Sequence, residues 1–152
     1  MNDVKRLARD HRLIRAKLDE LEAALKQAHG WWPTRQACVS LLPLLQEHVR
    51  REERVVTCHC AELDGLDDKT RVGVERRKPD DPQLLSDVAW LVCTCGYGSM
   101  PELTPRLLES IAQLRRNMVE EETELFPALR RILARRSAYD SAKLIFRSSW
   151  CE

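Results

Sequence analysis

The chain has 152 residues, 43% hydrophobic and 32% charged, with 25 Lys and Arg against 24 Asp and Glu. That length can bury the core of one domain, and the near-cancellation of charge leaves no global field to recruit nucleic acid or an anionic membrane. Five Gly and two Phe suit a helical bundle better than a sheet protein, and the apolar share excludes a disordered chain.

The opening segment, MNDVKRLARDHRL, is too charged for a signal peptide, and no apolar run approaches about 18 residues. The expectation is a soluble cytoplasmic protein without membrane contact, whose six cysteines are mostly reduced rather than joined in a disulfide framework. A first helix is predicted over about residues 3 to 28. Val4, Leu7, His11, Ile14, Leu18, Leu21 and Leu25 recur at steps of three and four, which places them on one face. Gly30 then acts as a stop and Trp31-Trp32-Pro33 as a turn.

A second helix is expected from about Thr34 to residue 62, with Cys38, Leu41, Leu45, His48, Glu52, Val55 or Val56, and His59 along its seam. Pro43 inside it predicts a kink or a later true start. Residues 64 to 81, DGLDDKTRVGVERRKPDD, have no clear period and read as a loop. A short third helix follows from Pro82 to about Cys95, with Leu85, Val88, Val92 and Cys95 on one side. Asp81 is its expected cap before a first-turn proline, and Gly96-Tyr97-Gly98 its end. The fourth helix spans about 102 to 136, with Leu107, Ile111, Leu114, Met118, Glu121, Leu125, Leu129 and Ile132 inward. Four amphipathic segments predict an all-α, up-down-up-down four-helix bundle over 1–136, with a tail over 137–152 packing on the bundle or on a partner.

Three seams carry polar residues where leucine would do: His11, then His48 with Glu52, then Glu121. Measured from the shared turn, His11 stands at about 26 Å, His48 at about 21 Å and Glu52 at about 27 Å, while Glu121 is about 28 Å along the fourth helix. All four fall within about one turn of a common level. A seam histidine alone is more often a satisfied core residue, and helix 4's acidic run suits a solvated face. The coincidence of residue type, facing and height across three helices is what singles these residues out. Two carboxylates buried at one depth need a cation or shared protons. Two imidazoles and two carboxylates converging make a ligand set for iron, manganese or zinc.

HVRREERVV in the second helix and NMVEEETELFP in the fourth share a frame in which Asn117 takes the place of His48. Together with Asp10-His11, His48-x3-Glu52-Glu53 and Glu121-Glu122-x-x-Leu125-Phe126-Pro127, the chain resembles the hemerythrin-like (HHE cation-binding) family up to about residue 136. The resemblance implies a four-helix bundle holding a non-haem di-iron centre that binds oxygen, handles nitric oxide or peroxide, or serves iron sensing and repair. By position, His11 and His48 correspond to histidines of one iron, and Glu52 and Glu121 to the bridging carboxylates, with Glu122 a substitute for Glu121.

The family's second iron takes histidines from the third helix and the start of the fourth-helix motif. Here the histidines are His11, His29, His48 and His59, so the third helix has none and Asn117 stands at the other position. Asp81 or Asp87 could offer an oxygen. One half-site remains, a 2-His-1-carboxylate set for a mononuclear metal, or else a buried hydrogen-bonded relic. Its ligand would be a small diatomic or peroxide. The rival reading is a regulatory or interaction bundle, with a protein partner or as a homodimer, that senses redox or metal through Cys58-His59-Cys60 and Cys93-Thr94-Cys95. No Ser–His–Asp set, phosphate-cradling loop or dinucleotide fingerprint marks an organic catalyst.

Overall fold

A computed structural model describes residues 2–26, 31–63, 82–93, 100–135 and 138. The expected loop over 64–81, the Asp81 cap, the stops at Gly30 and Gly96–Gly98, Cys95, and the tail over 137–152 apart from Ala138 lie outside those residues. The described chain is all-helical, with no strand among the described residues. Helix α1 is Asn2–Lys26, α2 is Trp31–Leu63, α3 is Pro82–Cys93 and α4 is Met100–Glu120. A π-helical turn, Glu121–Leu125, carries α4 into a last helical stretch, α5, over 126–135. No helix among the described residues is long and apolar enough to cross a membrane.

The periodicity that predicts the helices also predicts what they bury. Every seam residue of α1 is buried, and so are Leu107, Ile111, Leu114, Met118, Glu121, Leu125, Leu129 and Ile132. Each fully buried leucine contributes roughly 1.5–3 kcal/mol relative to an exposed one, so these stripes drive the helices together. Helix α1 packs on α2, α2 on α3, α3 on α4, and α4 on α1. An arginine spans each of these four contacts at its edge. Arg51 pairs with Asp10 between α2 and α1, and Arg35 donates to the Val92 carbonyl between α2 and α3 at 3.0 Å. Arg106 pairs with Asp87 between α4 and α3. Arg115 reaches Asp19 and Glu22 of α1 at 2.6 and 2.5 Å.

Three details differ from the expectation. Trp31-Trp32-Pro33 is the first turn of α2 rather than a connecting turn. A proline there loses nothing, because the N–H it lacks has no partner inside a helix at that position. The helix also runs through Pro43, so the alternative of a later true start there is not what forms. Pro43 and Val39, whose carbonyl would have accepted the missing bond, are both on the exposed face. Burial of Leu41 and Leu45 on either side holds the helical path. The third difference is the π turn, where the Phe126 N–H bonds the Glu121 carbonyl five residues back. Thr123 Oγ1 donates to the carbonyls of Val119 at 2.9 Å and Glu120 at 3.1 Å, so side-chain bonds support the backbone where the regular ladder changes pitch.

The interior has two apolar regions. One contains Ile14, Leu18, Leu21, Cys38, Leu41, Leu45, Val88, Leu107, Ile111, Leu114 and Met118. The other contains Val4, Leu7, Val55, Leu125, Phe126 and Leu129. Between them in each seam stands a polar residue: His11 between Leu7 and Ile14, His48 between Leu45 and Val55, Glu121 between Met118 and Leu125.

Candidate metal centre

His11 and His48 are fully buried and Glu121 is 3% exposed. One potential ligand atom from each lies within 4.8 Å of the other two. The convergence focuses on a single oxygen: Glu121 Oε2 is 3.1 Å from His11 Nε2 and 3.9 Å from His48 Nε2. The imidazoles meet edge to face with centroids 4.8 Å apart, and Phe126 stacks on His11 at 5.1 Å. Phe126 belongs to the second apolar region and gives the polar layer a dry wall on that side.

The outward nitrogens face two further acids. His11 Nδ1 is 2.8 Å from Glu122 Oε1, and Arg15 grips both oxygens of Glu122 at 2.8 and 3.0 Å. His48 Nδ1 is 3.9 Å from Asp10 Oδ2, the same oxygen that Arg51 engages. Arg51 is also tied to Glu47 on its own helix at 2.7 Å. Arg15, and after it His11, hold the Glu122 carboxyl below its ordinary range against the opposing effect of partial burial.

The buried His11, His48 and Glu121 group could hold a metal ion. Metal–nitrogen and metal–oxygen bonds near 2.0–2.2 Å put adjacent ligand atoms roughly 3–3.5 Å apart; the 3.1 Å between His11 Nε2 and Glu121 Oε2 falls in that range, and the 3.9 Å to His48 Nε2 lies beyond it. With Nδ1 of His11 donating to Glu122, the Nε2 lone pair and the Glu121 oxygen face each other at 3.1 Å. Two acceptors at that distance require a proton or a cation between them.

The structure brings together His11, His48 and Glu121 of the four residues singled out by sequence. Glu52, one turn beyond His48 on α2, is half-buried and stands outside the trio. Glu121 and Glu122 engage opposite nitrogens of His11. Asn117 does not replace the missing histidine, since its Oδ1 accepts from Gln113 Nε2 at 2.7 Å. Asp87 is buried but faces Arg106, which lies 15 residues, or about 22 Å, before Glu121 along its rod.

Sequence reasoning missed Arg15, Arg51, the orienting position of Glu122, and the π turn. The available signal was spacing: Arg15 follows His11 by four residues and Arg51 follows His48 by three, so each shares a flank with its imidazole.

Among the described residues, Cys58 and Cys93 do not converge. Arg35 near the start of α2 bonds the carbonyl of Val92 at the end of α3, which places Cys93 beside that start. Cys58 is 23 residues further along α2, about 34 Å away. Both thiols are exposed, whereas Cys38 is buried and burial pushes its thiol up to about 12. Nothing is described of the Cys60 side chain or of Cys95.

Comparison with protein-family models, with curated proteins and with solved structures gives no match to this chain.

Proposed function

We propose that the chain is a hemerythrin-like, up-down-up-down four-helix bundle that binds a transition metal, iron first among candidates, through His11, His48 and Glu121, and that it handles a small oxidant there. The observation that carries this reading is the buried trio focused on one Glu121 oxygen, at one level between two apolar regions. The closed cycle of helix contacts and the ordered motif Asp10-His11, His48, Glu121-Glu122 support the architecture and the family resemblance.

The ligand set is the 2-His-1-carboxylate type, which leaves positions open on a non-haem iron. Manganese and zinc share the same donors. A bound metal of this kind supplies Lewis acidity and, if iron, one-electron chemistry toward oxygen, peroxide or nitric oxide. The protein's own residues hold two imidazoles and one carboxylate at one level, with Phe126 stacked on His11 on one side. The absence of a second histidine pair, with Asn117 bonded to Gln113, favours one metal over two. Exposed Cys58 and Cys93 at opposite ends argue against a shared thiolate site as the seat of activity.

Anaerobic purification followed by elemental analysis tests the proposal. About one equivalent of iron, manganese or zinc per chain, lost in His48→Ala, is the expected result. A metal-free wild-type protein that also fails to bind added Fe(II), Mn(II) or Zn(II) would overturn it.

A further inference from the structure

We propose that Arg15 is a positioning residue of the metal centre, locking an acid, Glu122, that in turn aims the His11 imidazole, and that Arg51 holds Asp10 near the His48 imidazole in a looser version of the same device. The inference rests on the metal-binding reading above and goes beyond it by giving roles to four residues outside the ligand trio. The two relays have the same order of parts: Arg15–Glu122–His11 and Arg51–Asp10–His48.

A histidine ligand offers one nitrogen to the metal, and the partner of its other nitrogen sets the ring's direction and basicity. Glu122 is built for that task. Its Oε1 accepts from His11 and from Arg15 at 2.8 Å each, while its Oε2 accepts from the other Arg15 terminus at 3.0 Å. A carboxylate held at two points by a planar guanidinium cannot swing away from the ring it orients. With Nδ1 tethered on that side, His11 Nε2 points at Glu121 Oε2.

The π turn lets adjacent acids serve the two ends of one ring. Glu121 and Glu122 are its first two residues. An i→i+5 turn holds more residues per turn than an α-helix, so neighbouring side chains diverge less around the axis and both reach α1. Glu121 goes to the buried nitrogen, and the partly exposed Glu122 to the outward one.

The second relay is looser. Arg51 engages the Asp10 oxygen that faces His48, but Asp10 and His48 are 3.9 Å apart, beyond hydrogen-bond length. Its influence on the metal is therefore weaker than that of Arg15. The competing explanation is that both arginines simply tie helices together at a half-exposed edge. That role would move the melting temperature and leave the metal untouched.

Co(II) separates the two roles, because bound cobalt reports its ligands through visible absorption. Affinity is read at fixed pH and salt by competition with a chromophoric chelator, and metal-free melting is recorded in parallel. Arg15→Met, which keeps the aliphatic stem, should weaken Co(II) binding by about 10–100-fold with the band positions retained. Glu122→Ala should do the same. The double variant should bind no more weakly than Glu122→Ala alone, because Arg15 acts through Glu122. Arg15→Lys should recover part of the loss, and Arg51→Met should show a smaller one.

If Arg15→Met does not fold, Glu122→Gln, which keeps an acceptor for His11 but not the charge Arg15 grips, carries the same comparison. Unchanged affinity in the folded variants, multiplicative losses in the double variant, or shifted bands in Glu122→Ala would overturn the relay while leaving the metal site standing. A wild-type protein that takes up no Co(II) would overturn both readings.

Discussion

Two layers of this interior, one helical turn apart, are built by opposite rules. In the layer of Ile14, Leu45 and Met118, burial alone suffices, and the residues need only be apolar and fill space. In the next layer, His11, His48 and Glu121 are just as inaccessible, yet every atom there has a directional demand. The apolar layer is satisfied by volume. The polar layer is held by geometry, with Arg15 and Arg51 at its rim fixing the acids that face the imidazoles. Such a layer is a poor stabiliser, because well-packed hydrophobic replacements for buried ionic groups are often neutral or better. Its presence therefore points to a task other than holding the helices together.

The widest separation between the layers should come from Leu18→Ala. Removing this fully buried side chain should lower unfolding free energy by about 2–5 kcal/mol in urea titration. The folded fraction should keep the wild-type metal content.

In the polar layer, His11→Ala should destabilise the metal-free protein by about 1–3 kcal/mol, because the buried Glu121 loses its imidazole partner, and metal uptake should vanish. The sharper test replaces His11, His48 and Glu121 together with leucine. That triple variant should be at least as stable as the metal-free wild type, measured by thermal melting, and bind no metal. A triple variant much less stable would mean that the polar layer is itself a structural requirement.

A smaller effect should appear at the α1–α4 edge. Lys26, then Arg115, hold the Glu22 carboxyl below its ordinary value of 4.5. This depressed group stabilises the fold above about pH 4.5, and the contribution fades as the pH falls through the lowered folded value. Urea titrations of wild type and Glu22→Gln should differ by at most about 1 kcal/mol at pH 7, and the difference should close in acid. The smallest perturbation is chemical labelling. A thiol reagent at neutral pH should modify Cys58 and Cys93 in the folded protein but reach Cys38 only on unfolding, as burial and a thiol pushed up to about 12 require.

Much of the fold was legible in the spacing of apolar residues. The full α1 seam from Val4 to Leu25 and the run from Leu107 to Ile132 are buried as their period requires. Element boundaries were less legible: Trp31 and Pro33 read as a turn but sit in a helix, because first-turn positions tolerate proline. Within the site, the positions of His11, His48 and Glu121 could be anticipated because all three interrupt apolar stripes at matching heights. Glu52 satisfied the same criteria and stands outside the trio, since period and height do not fix where a long side chain places its carboxylate.

The sequence by itself thus determined which faces are apolar and at which level they become polar, because helical period and rise convert residue number directly into direction and height. Only the tertiary structure decided which acid meets which nitrogen. That pairing depends on distances between helices, on the one-residue change of pitch at Glu121–Leu125, and on arginines whose partners lie on a neighbouring helix, as with Arg15 and Glu122, 107 positions apart. Local spacing carries none of these quantities. They arise when the apolar stripes close on one another and the charged rim settles around them.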